Sequence, residues 1–170
     1  SREKQYEEGD YIKLEVEKPN TYVFVKFDDT FEESLVYFKD VTEWVYKIPY
    51  TEDETRAMED VAFAGTGMSF SARLASDEEI SKYQNLARNR HAAHEPVGIY
   101  PHAHANVETR NDPTFYARNA IDGVFQNDDH GSYPYQSWGI NQQDDAAITI
   151  EFGREVKVDK IGITLRADFP

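Results

Sequence analysis

Apolar residues recur at every second position in several short runs of this chain, and that alternation limits the fold more than any other feature. Ile12, Leu14 and Val16 face one way between Tyr11 and Glu17, with Lys13, Glu15 and Glu17 opposite. Trp44, Tyr46 and Ile48 repeat the pattern between Thr42 and Tyr50. So do Ile148, Ile150 and Phe152, set against Thr149 and Glu151. Side chains two apart share a face only in an extended strand, so each run reads as a half-buried strand. Thr21 to Phe27 is apolar on both faces (Val23, Val25 and Phe27 against Tyr22 and Phe24) and should lie centrally in a sheet. Ser34 to Lys39, Val61 to Ala64 and Met68 to Ala75 complete about six strands in the first half. Pro19-Asn20, Asp28-Asp29-Thr30 and Gly65-Thr66-Gly67 supply the turns between them. In the second half Ala105 to Thr109 is a further candidate strand. Val156, Val158, Ile161, Ile163 and Leu165 supply the apolar set of a last one.

A helical signal stands out once. Ser76-Asp77-Glu78-Glu79 has the form of a capping box: the serine oxygen can take the amide of Glu79, whose carboxylate reaches back. Ile80 and Tyr83, with Leu86 or Ala87, fall on one face of a helix of at most three turns. The spacing therefore predicts an all-β chain in three parts. Residues 1–76 form an N-terminal β-sandwich, 91–170 a second β unit, and 77–90 a helical connector that packs its apolar face on one or both of them. Thr51 to Asp60 reads as an acidic loop.

Charge narrows the partners. Lys+Arg number 18 against Asp+Glu 32, a net charge of −14. That sign disfavours nucleic acid and anionic membrane surfaces, which carry the same charge. Without cysteine the chain can form neither disulfides nor thiolate metal sites, and its redox compartment is not legible. No apolar run is long enough to span a bilayer, and no leader is read in the given chain.

Asn85-Leu86-Ala87, Ala120-Ile121-Asp122-Gly123, Trp138, Ile148 to Gly153 and Ile161 to Leu165 follow one another in a telling order. In that order and spacing they resemble the discoidin type, the galactose-binding-like β-sandwich of coagulation factors and of many bacterial carbohydrate-binding modules. The resemblance covers the C-terminal half. It departs at Ala147, where the family often has tryptophan, and at Val124, where it often has Asn or Asp. It implies a jelly-roll-like sandwich, and further strands beyond Pro170, so the chain is expected to be a piece of a longer protein. An open sheet edge of that kind would either pair with a second copy or leave the segment after about Asn119 loose beside a folded first sandwich. The resemblance also implies structural calcium near Asp122, with Asn127 supplying a further oxygen; the alternative is a plain Asp turn.

His130 to Trp138 is the most ligand-like stretch. Sugars present C–H faces that stack on rings and hydroxyls that need forked donors. Tyr133, Tyr135 and Trp138 are candidate platforms, and His130, Arg166 and Asp168 candidate polar grips. The competing readings are that Trp138 plugs the core and that Arg166 and Asp168 form a surface ion pair. His91, His94, His102 and His104 form a His-rich run that reads first as scattered side chains and second as a zinc set lacking a third ligand. No Gly-x-Ser-x-Gly, His-Glu-x-x-His or phosphate-binding glycine loop is present. The expectation is a non-catalytic carbohydrate-binding module. The alternative is a structural or protein-interaction domain on the same sandwich.

Overall fold

The computed structural model describes residues 6–64 and 69–166. Its strands lie in antiparallel sheets, accompanied by two short α-helices. β1 (Tyr11–Glu15) pairs with β4 (Glu43–Lys47) in a two-stranded ribbon that sets Leu14 opposite Trp44 and Ile12 opposite Tyr46. β2 (Thr21–Lys26) and β3 (Ser34–Phe38) form a hairpin. β5 (Ser71–Leu74) and β6 (Ile99–Tyr100) add to it, and the sheet runs β5-β2-β3-β6. β2 is thus central, as its two apolar faces predict. Val23, Val25 and Phe27 join Val36, Phe38 and Trp44 in the main core, against which Ile12, Leu14 and Tyr46 of the ribbon pack. The other face of the hairpin is roofed by guanidiniums: Arg154 lies over the rings of Tyr22 and Tyr37, and Arg73 over Phe24. Such stacking keeps the charge wet while covering apolar ring surface.

The main core does not end at residue 76. β6 extends β3 by antiparallel pairing. The Lys39 amide donates to the Gly98 carbonyl. Farther up the chain, His91 enters the core between Phe27 and Phe31. A second, smaller core gathers Ala92, Ala103, Ala117 and Ile121, with Trp138, Ile148 and Ile150 against it. It is built on β7 (His102–Ala105) and β8 (Ile148–Glu151), paired with Ala103 opposite Ile150.

Several elements depart from the sequence expectations. Val61 to Ala64 is a turn, not a strand. The buried Asp28 carboxylate takes the amide of Phe63 at 2.8 Å and so holds Phe63 at φ +52°, outside the extended region. The acidic loop contains a helix, α1 (Glu52–Thr55), started by a Thr51–Glu54 capping box. The expected connector shrinks to α2 (Asp77–Ser81). There the Gln84 side-chain amide donates to the Glu79 carbonyl at 2.7 Å, in place of a continuing helical amide. Tyr83 is 77 % exposed, so the expected apolar helix face is not buried. The strand expected over Ala105 to Thr109 ends at Ala105. Residues 156–165 form no ladder among the described residues, and Ile161, Ile163 and Leu165 remain exposed.

Candidate functional site

The ring-bearing loop is tied down by Arg166. One guanidinium nitrogen donates to Ser137 Oγ at 2.9 Å and the other to the Asp129 carbonyl at 3.0 Å. A single side chain therefore clamps both ends of the loop against the end of the 156–165 run, and Asn127 adds a bond to the Leu165 carbonyl. Inside the clamp, the Tyr133 amide donates to the Arg56 carbonyl and the Tyr135 amide to the Ser132 carbonyl. His130 is exposed beside Asp129, and Tyr135 is half-buried. Trp138 donates its indole N–H to the Val107 carbonyl at 2.8 Å and packs on the second core. Asp168 lies outside the described residues.

Tyr133 leads into a charge cluster that no motif announces. Arg90 is almost buried and has Tyr133 over one side and Phe31 over another. Its guanidinium pairs with Glu59 at 2.7 Å and with Asp122 at 3.4 Å. The rest of Asp122 is also in use: one oxygen takes the Val124 amide and the other the Gln136 side-chain amide, both at 2.8 Å. Burial pushes the Asp122 carboxyl up to about 6, against the pull of these donors and of Arg90. Gln136 Oε1 is buried with no hydrogen-bond partner among the described residues.

These contacts bear directly on calcium. The ion needs several oxygens facing one point. Here the carboxylate faces a guanidinium, and the amide nitrogen of Asn127 is turned to the Leu165 carbonyl. As arranged, the two residues do not fit a calcium ion, since Arg90 would have to leave. Millimolar calcium is accordingly expected to leave the melting temperature unchanged. A rise reversed by chelator would instead establish the calcium set that the resemblance implies.

The histidines go separate ways. His91 is a core residue, treated below. His94 stacks on Tyr116 at 3.8 Å, and its Nε2 lies 2.7 Å from Glu108. His102 is buried on β7, where burial lowers its pKa, while His104 is exposed near Glu151. No group of three or more metal-ligating side chains forms among the described residues. No described helix is long and apolar enough to cross a membrane.

Sequence reasoning passed over Arg56, Glu59, Arg90 and Arg118. Arginines and glutamates at scattered positions carry no spacing signal, and only their meeting in space marks them. A scan against protein-family models, a search of curated proteins and a search of solved structures each found no match to this chain.

Proposed function

We propose that the chain is a non-catalytic carbohydrate-binding unit that takes glycans on the loop from His130 to Trp138. In this reading its sheets are β-sandwiches, the second of galactose-binding-like type. The supporting observation is the Arg166 clamp. A loop fixed at both ends loses little freedom when a ligand arrives, so weak stacking contacts are not spent on ordering it. Tyr135 is the principal platform, Tyr133 the neighbouring ring, and His130 the exposed polar grip beside them. Trp138 supports the loop from the core side. With an acidic chain, neutral sugars suit the surface better than nucleic acid or anionic lipid. Affinity should be weak, because a shallow site buries little ligand. Titrating neutral mono- and oligosaccharides while following loop resonances by NMR is expected to give saturable shifts at His130, Tyr133 and Tyr135. Tyr135→Ala should weaken binding about tenfold, the scale of one lost ring contact. Absence of any loop perturbation across a broad glycan panel would overturn the reading.

One observation favours a second reading. Ile161, Ile163 and Leu165 recur at every second position of an exposed run, as the residues of an unpaired strand would. A protein-interaction surface, including pairing with a second copy, accounts for that run. A concentration-dependent change in mass by light scattering, lost on Ile163→Lys, would support it.

A further inference from the structure

A small cleft beside the charge cluster is lined by a guanidinium that makes no hydrogen bond among the described residues. Tyr46, Asn89, Arg90, Arg118, Asn119 and Asp122 are among the residues lining it, and its volume is about 30 Å³. That is room for roughly two waters, or for one group of three or four heavy atoms. The two guanidiniums at its wall are in different states. Arg90 is paired with Glu59 and Asp122. Arg118 is only partly exposed, and burial depresses its pKa. Its guanidinium makes no hydrogen bond or ion pair among the described residues; it lies over the Tyr116 ring at 5.6 Å and feels Asp122 and Glu54 only through longer-range attraction. The nearby carboxylates make their hydrogen bonds to other groups. Asp122 is held by Val124, Gln136 and Arg90. One oxygen of Glu54 accepts from the Tyr50 and Thr51 amides and the Thr51 hydroxyl in the cap of α1. The Tyr46 hydroxyl, on the same wall, also has no hydrogen bond among the described residues.

A guanidinium withdrawn from water without acceptors is costly, and its planar fork of N–H donors matches a two-oxygen acceptor. We propose that this cleft is a binding site for a small monovalent carboxylate, gripped by the Arg118 guanidinium and the Tyr46 hydroxyl. Size and charge both select that class. A volume of about 30 Å³ suits a carboxylate with one small substituent better than a larger anion. A chain of net charge −14 opposes a dianion more than a monoanion. The site does not depend on the glycan reading, and its probe carries no sugar.

Acetate is the probe, titrated into the whole chain against chloride at constant ionic strength. Side-chain resonances of Arg118 are followed by NMR and the melting temperature in parallel. The expected result is a saturable Arg118 shift with a rise in melting temperature. Arg118→Met should weaken acetate binding at least about tenfold, and Tyr46→Phe by less. If Arg118→Met fails to fold, the wild-type titration and Tyr46→Phe decide the matter. A response that never saturates, equal saturation by chloride or sulfate, or unchanged acetate binding in a folded Arg118→Met would each overturn the proposal. The first of these would leave water as the occupant.

Discussion

Replacing Arg90 by methionine is expected to cost the fold about 3–5 kcal/mol, the range for breaking a buried ion pair from one side. The side chain is 7 % exposed and its two partners, Glu59 and Asp122, are 18 % and 7 % exposed. Without the guanidinium both carboxylates stay buried with no cation, and the Phe31 and Tyr133 rings lose the flat group between them. Denaturant unfolding should show a lower midpoint with an unchanged slope. The charge origin of the loss can be separated from its packing part. Adding Asp122→Asn to Arg90→Met should return a share of the stability, because it removes one stranded charge.

Acidification should do the same, by the following sign. Asp122 already has a folded pKa of about 6, above its ordinary 3.8. A carboxyl raised on folding penalises the native state above the folded pKa, and the penalty is relieved as pH falls through it. Removing Arg90 raises that pKa further, so the gap between variant and wild type should narrow between pH 7 and pH 5. A gap under about 1 kcal/mol would mean that the cluster is as weak as a surface pair.

His91 carries the second large effect. Its ring is 1 % exposed, edge-on to Phe27 and Phe31. Nε2 accepts the Phe27 amide at 3.2 Å, so Nδ1 bears the proton and donates to Ser34 Oγ at 3.3 Å. Ser34 Oγ in turn accepts the Arg90 amide. The imidazole thus ties the end of β2 to the start of β3 and to the segment that delivers Arg90. His91→Ala should cost about 3–5 kcal/mol, combining a ring-sized void with an orphaned Phe27 amide. Burial holds the imidazole down to about 3, against 6.5 in the open chain. Between those values the unfolded chain binds the extra proton. The stability of the neutral ring is therefore complete above pH 6.5 and is lost as pH falls toward 3. His91→Ala has no such proton to bind. Its deficit against wild type should shrink over that window, and a deficit constant from pH 7 to pH 4 would place the ring's protonation outside the folding equilibrium.

The candidate site was legible in the sequence only where local chemistry names it. Tyr133, Tyr135 and Trp138 stand out as rings in a polar loop, and Arg166 was near enough to the last apolar run to be suspected. That Arg166 grips Ser137 and Asp129, and that Trp138 spends its N–H on Val107, depends on how far the chain has turned between them. Asp122-Gly123 reads as a turn, and the Val124 amide does close on the Asp122 carboxylate. That Arg90 arrives at the other oxygen follows from the placement of a residue 32 positions away.

By itself the sequence determined β1, β4 and β8 from their alternation, because side-chain direction in an extended chain is a local matter, and β2 and β3 as short apolar runs set between turns. It also determined the start of α2, because Ser76 and Glu79 satisfy each other's amides within one turn. The Thr51–Glu54 box started α1 by the same chemistry, unread inside an acidic stretch. Tertiary structure decided the rest. Val61 to Ala64 has strand composition, but the Asp28 carboxylate takes the Phe63 amide that a neighbouring strand would need. Ile161, Ile163 and Leu165 alternate as β8 does, although out of phase with Val156 and Val158, yet a strand exists only where a second one pairs with it. Ile99-Tyr100 is too short to announce itself and becomes a strand because β3 offers an edge. Arg90 and His91 look like surface residues, and they lie in the interior because the fold carries hydrogen-bond partners of matching charge and geometry to them, two carboxylates to Arg90 and the Phe27 amide to His91, from 31 to 64 positions away.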